Sequence, residues 1–316
     1  MIRDIVLLLL GIAAISLGAE FLVRGSASLA IRFGIKPLVI GLTIVAFGTS
    51  SPELVVGLRS SLSNQGDIVI GTVVGSNIFN IGFILGLVSM IYPINVSLPV
   101  IRLDAPIMIF VSLLSLTLFA MGTISRSAGI FLFSGLIAYT IFTVLMAKQQ
   151  ASAEIDRQFE EGVSSVSKSF YLDLVFITGG LALLSLGSRI LVGSAADIAR
   201  LLGISEAFIG LTVIAAGTSI PELATSVAAA IRRQPDIALG NVVGSNIFNI
   251  LGVLGVAAIT KPFSTHGIKL FDYWVMVGFS ILLLPLLWSG RKIQRWEGVL
   301  LLCGYGGYFY KLWSSL

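Results

Sequence analysis

GLTIVAFGTSSPEL, residues 41–54, returns as GLTVIAAGTSIPEL at residues 210–223, and GTVVGSNIFNI, residues 71–81, returns as GNVVGSNIFNI at residues 240–250. Both pairs lie 169 residues apart, and the SLG tripeptides starting at Ser16 and Ser185 keep the same spacing. One constant register over so much chain marks a duplication. The chain is therefore expected to fold as two similar halves, and the chemistry is expected where the halves repeat each other most closely.

Composition says which solvent surrounds those halves. Hydrophobic residues make up 56% of the 316 residues and charged ones 11%, against about 25% charged in a soluble domain. With a mean hydropathy of +1.00, the natural solvent is a lipid bilayer. The net charge of +4 is scattered rather than blocked, which gives no reason to expect nucleic acid as a partner. Cys303 and His266 are the only residues of their kinds. That excludes an intramolecular disulfide, a Cys/His nucleophile and a clustered zinc or haem site, so both read as structural. The apolar run Ile5–Ala14 resembles a signal peptide, but its twin in mid-chain argues that it is retained.

About 20 apolar residues cross a bilayer. Ten segments qualify, near 4–26, 35–62, 68–91, 99–121, 127–147, 170–194, 204–231, 236–259, 269–289 and 294–314. The reading is an all-α membrane protein of ten transmembrane helices: a first five-helix repeat over 1–147, a hydrophilic linker over 148–169 and a second repeat over 170–316. Five is odd, so the second repeat should enter the membrane upside down. Inverted repeats are a transporter design with the substrate site near the midplane. The side that receives the linker holds more Lys and Arg, among them Arg32, Lys36, Arg232 and Arg233. That places the linker in the cytoplasm and both termini outside.

Only Glu53 and Glu222 fall in the middle of a predicted span, and they are repeat mates. Charges at that depth are costly and mostly functional. Two facing carboxylates can hold a hard cation, and one Ca²⁺ balances their charge. Pro52 and Pro221 remove an N–H and clash with the carbonyl four residues back, at Gly48 and Gly217, so each helix should break there. Carbonyls freed at such breaks, including Ala46 and its mate Ala215, are natural ligands. If helical geometry crosses the break, Thr49 and Ser50 share the face of Glu53, as Thr218 and Ser219 share that of Glu222. The following helices carry Ser76, Asn77 and Asn80, repeated as Ser245, Asn246 and Asn249. These neutral groups suit Na⁺, or a cavity wall, or simple packing. Gly71, Gly75, Gly82 and Gly86 read as packing positions. Glu20 and Arg24 read as a local pair or interface anchors, and Arg189 and Asp197 as interfacial.

GTSSPE at Gly48, GTSIPE at Gly217 and the two GSNIFN stretches resemble the two alpha repeats of the cation/calcium antiporter superfamily, in its sodium/calcium exchanger branch of prokaryotic type. The resemblance implies a secondary antiporter exchanging Na⁺ for Ca²⁺ by alternating access, without a cofactor. It implies a calcium site at Glu53, Glu222, Thr49 and Thr218. It further implies flanking sodium sites or a central cavity at Ala46, Ser50, Ser76, Asn80, Ala215, Ser219, Ser245 and Asn249. The first and sixth helices, which contain Gly18 and Gly187, would slide past a fixed core. Some relatives carry Asp where this chain has Asn80 or Asn249, so potassium co-transport is not expected. The linker is too short for a regulatory domain. The setting implied is the plasma membrane of a prokaryote, with no obligate protein partner.

Other readings compete. A proton/calcium antiporter of the same fold could use the same two Glu, although that branch carries GNxxE where this chain has GTSxPE. A cation channel could use paired carboxylates as a filter, but inverted repeats favour an exchanger. A membrane hydrolase lacks a histidine in a span and any HExxH, so the chain is not read as an enzyme.

Overall fold

The computed structural model describes residues 2–149, 169–202, 215–265 and 269–314. Most of the predicted linker, the first part of the seventh predicted segment and His266 lie outside the described residues. The rest is almost entirely helical. The first half runs through α1 (Ile2–Phe33), the bent pair α2 (Pro37–Thr49) and α3 (Ser51–Leu62), then α4 (Gly66–Ile91), strand β1 (Ile94–Asn95), α5 (Val100–Ala120), strand β2 (Thr123–Ile124) and α6 (Arg126–Gln149). The second runs through α7 (Phe170–Leu201), a short helical turn at Ala215–Gly217, α8 (Ile220–Ile231), α9 (Pro235–Thr260), strand β3 (Phe263–Ser264), α10 (Leu270–Trp288), strand β4 (Lys292–Ile293) and α11 (Arg295–Trp313). Among the described residues, seven helices are long and apolar enough to cross a membrane, and eight if α2 and α3 count as one span.

Helix chemistry predicts position. The segments α4 and α9 are apolar all round and rich in small residues, so they can be enclosed by protein. Of their most apolar stretches, 67% and 89% of residues are buried, against 28% for α1 and for α7. The carriers of GSNIFN thus form the centre, and the long helices α1 and α7 lie outside.

Those two outer helices run antiparallel in direct backbone contact. A methyl at Gly18 would stand 2.8 Å from the Gly180 carbonyl oxygen, and one at Gly180 would stand 2.7 Å from that of Gly18. Only glycine allows such an approach. Arg32 Nε donates to Asp173 Oδ2 at 2.8 Å and ties the end of α1 to the start of α7. Both helices run past their predicted ends, 26 and 194, to Phe33 and Leu201. Glu20 pairs with Arg232 beyond the end of α8, not with Arg24. Arg24 lies instead over the Phe176 ring, 6.0 Å from its centroid. Spacing on one helix could not disclose a partner on another.

Two short antiparallel ribbons close the helix connections. In one, β1 pairs with β4, with Ile94 opposite Ile293; in the other, β2 pairs with β3, with Ile124 opposite Phe263. At the repeat offset Ile94 maps to Phe263 and Ile124 to Ile293, so each ribbon is the image of the other.

Candidate cation site

The break at each Pro forms as the residues require. Ser50 (φ −81°, ψ 8°) and Ser219 (φ −92°, ψ 9°) leave helical geometry just before Pro52 and Pro221, and α2 and α3 meet at 44°. Each helix restarts with its glutamate in the first turn, where unpaired N–H groups favour negative charge. Ahead of the first break, residues Gly41–Val45 form a π-helical turn. The Ala46 carbonyl keeps its helical bond, accepting from the Ser50 N–H at 3.0 Å, which leaves a second lone pair on that oxygen beyond the backbone bond. In the second half the Ser219 N–H donates to the Ala216 carbonyl at 3.2 Å.

Glu53 and Glu222 are both completely buried. Their partners cross between halves. Ser50 Oγ donates to Glu222 Oε1 at 2.8 Å, and its mate Ser219 Oγ donates to Glu53 Oε1 at 3.0 Å. Ser76 Oγ stands 2.9 Å from Ser219 Oγ and 3.4 Å from Glu53 Oε1. Helical geometry does not carry across the break at Ser50, so the condition for its sharing the face of Glu53 is not met. Ser50 is the hinge itself, so its side chain turns to the opposite half.

The asparagines fix one another's orientation. Asn77 Nδ2 donates to the Asn246 carbonyl oxygen at 3.2 Å. A carbonyl only accepts, so Asn77 Oδ1 must face Asn249, whose Nδ2 donates to it at 3.0 Å. Likewise Asn80 Nδ2 donates to Asn246 Oδ1 at 3.0 Å. This leaves Asn80 Oδ1 and Asn249 Oδ1 buried with no partner, together with Glu53 Oε2, Glu222 Oε2 and Ser245 Oγ. Buried acceptors are ordinarily satisfied. Such a set, with two carboxylates among it, is suited to a hard cation. Among the described residues no group of three or more His, Cys, Asp or Glu assembles, so the donor set is not that of a clustered transition-metal centre.

Of the candidate residues, Glu53, Glu222, Ser50, Ser76 and Ser219 are held by direct hydrogen bonds between the halves, and Asn80 and Asn249 belong to a separate amide network with Asn246 and Asn77. Thr49 is buried, and Thr218 is partly buried at the equivalent turn. Sequence reasoning missed Asn241. Its Oδ1 accepts from Thr49 Oγ1 at 3.0 Å, while its Nδ2 reaches Ser226 Oγ at 2.9 Å and the Glu222 carbonyl oxygen at 3.3 Å. The signal was present: GNVVGSN differs from GTVVGSN only at this position.

The chain is similar to known proteins over nearly its whole length. The sodium/calcium exchanger protein family matches residues 4–145 and again residues 172–313. The chain is 39% identical to the inner membrane protein YrbG of Escherichia coli K12 over 95% of this chain and 93% of that protein. It is 32% identical to the sodium/calcium exchanger MaX1 of Methanosarcina acetivorans over 96% of each. Among solved structures, the sodium-calcium exchanger NCX_Mj soaked with sodium and calcium superposes with a TM-score of 0.85 at 32% identity, covering 99% of both chains. A family match that spans both halves of the chain makes this protein a member of the sodium/calcium exchanger family.

Proposed function

We propose that this integral membrane transporter exchanges Na⁺ for Ca²⁺ by alternating access at the site between the two GTSxPE motifs. One observation carries the reading: two buried glutamates, cross-bridged by Ser50 and Ser219, each keep one oxygen without a partner, as do the amide oxygens of Asn80 and Asn249. In this reading Glu53 and Glu222, with Thr49 and Thr218, hold calcium. Ser50, Ser76, Ser219 and Ser245, the carbonyls of Ala46 and Ala215, and Asn80 and Asn249 serve sodium or line the centre. Asn77 and Asn246 orient the two central amides.

The architecture we propose is ten transmembrane helices in two inverted repeats, over 1–147 and 170–316, joined by a cytoplasmic linker over 148–169, with both termini outside. The antiparallel course of the mates α1 and α7, and the two ribbons that map onto each other, support that inversion. The glycine contact between α1 and α7 suits two helices that move as one body past α4 and α9. The setting is a prokaryotic plasma membrane, as the relatives suggest.

The experiment is calcium transport by Glu53→Gln and Glu222→Gln. Each substitution removes half of the charge that balances Ca²⁺ while keeping the side chain's shape. Transport should vanish in both variants while each still folds and inserts. Wild-type rates in either would overturn the site. Coupling to protons is the competing reading, because the free oxygen of each Glu could also carry a proton. Calcium uptake driven by a proton gradient with sodium absent would select it.

A further inference from the structure

The two halves of the site are built unequally. At the repeat offset, Thr225, Ser226 and Asn241 stand where the first half has Val56, Gly57 and Thr72. All three polar side chains are completely buried. Asn241 is the hub. Its amide nitrogen donates to the Glu222 carbonyl oxygen and to Ser226 Oγ, and its amide oxygen accepts from Thr49 Oγ1. The Glu222 carbonyl can only accept, so the amide cannot flip. Its oxygen must face Thr49, whose single hydroxyl proton has Asn241 Oδ1 and the Val45 carbonyl at 3.0 Å, the Ala46 carbonyl at 3.4 Å and the Glu222 carboxylate within reach. One side chain on α9 thus fixes a hydroxyl from the first half against the backbone of the glutamate from the second.

The first half cannot copy this. A threonine at position 72 has one proton and cannot donate to two acceptors, and a glycine at position 57 offers no hydroxyl.

Resting on the calcium site proposed above, we propose that Asn241 is a positioning residue that holds the Thr49–Glu222 oxygens at fixed separation and so sets the preference among divalent cations by size. Oxygen cages discriminate between cations through their rigidity and dimensions. Loosening this half should therefore relax the preference for calcium over a larger ion such as Sr²⁺.

The test is the ratio of KM for Ca²⁺ to KM for Sr²⁺ in sodium-driven uptake by proteoliposomes. The variant Asn241→Thr, which copies the first half, should raise KM for Ca²⁺ about three- to tenfold, the loss expected for one hydrogen-bonding hub. It should also move the Ca²⁺/Sr²⁺ ratio toward unity. Thr72→Ala should leave the ratio unchanged. A purely structural role would lower the amount of active protein and the maximal rate but not the ratio. If Asn241→Thr does not accumulate, Ser226→Gly carries the test, because it removes one anchor of Asn241 and should shift the ratio in the same direction. An unchanged ratio, or an equal shift with Thr72→Ala, overturns the assignment. Glu222→Gln is assayed alongside. If it transports calcium, the site itself is wrong; if it is inactive while the Asn241 ratio does not move, only this inference fails.

Discussion

At the residue scale, the site works by leaving oxygens without partners. The Asn77–Asn249 and Asn80–Asn246 bonds turn two amide oxygens away from their donors, and the serines satisfy only one oxygen of each carboxylate. Replacing Asn77 by Leu removes the acceptor that orients Asn249. It should cost about 1–3 kcal/mol of stability through the stranded groups and weaken the sodium dependence of transport. Thermal unfolding in detergent and a sodium titration would check both; a normal sodium titration would remove Asn77 from its orienting role. Much at this scale was legible in one sequence, because duplication singles out Glu53 and Glu222 as the paired mid-span charges. The cross-bonding of Ser50 to Glu222 was not, since it depends on how two distant breaks face each other. Asn241 lay between: its divergence from Thr72 was visible, but its three partners sit on two other helices, one in each half.

At the element scale, the breaks at Pro52 and Pro221 and the central place of α4 and α9 follow from residue type. The π-helical turns at Gly41–Val45, Phe79–Leu85 and Asn249–Val253 carry no comparable signal. Two of them contain Asn80 and Asn249, where the extra residue in the turn adjusts which way the side chain faces. The pair α1 and α7 tests whether the outer helices act as a unit. Gly18→Val would place a side chain against the Gly180 carbonyl and the Leu184 N–H, both 2.8 Å from the added carbon. It should cut transport more than tenfold while calcium binding to the solubilised protein persists, since the site residues lie on other helices. Loss of binding together with transport would mean that the outer pair also shapes the site. The Glu20–Arg232 pair, like the Arg32–Asp173 pair, links segments far apart in the chain, which spacing along one helix does not disclose.

At the scale of the whole molecule, the repeat register is visible in the fold: mates α1 and α7 run antiparallel, and the ribbons, which hydropathy did not announce, map onto each other. The proposed orientation rests on the excess of Lys and Arg on the linker side. A cysteine at Ser165, with Cys303 replaced, should react with an impermeant reagent only from the cytoplasmic face; labelling from outside intact cells would reverse the topology. Charge sets the energetics of the cycle. Two carboxylates balance one Ca²⁺ or two Na⁺, and further sodium at the serine oxygens would make the cycle carry charge, worth about 2.3 kcal/mol per charge per 100 mV. With Asn80 and Asn249 neutral, potassium should have no part. The most direct test of the account is calcium uptake into proteoliposomes under sodium, potassium or proton gradients imposed one at a time, for the wild type and for Glu53→Gln and Glu222→Gln. The account predicts that the sodium gradient alone drives uptake and that neither variant responds; uptake driven by protons without sodium, or wild-type uptake in either variant, would contradict it.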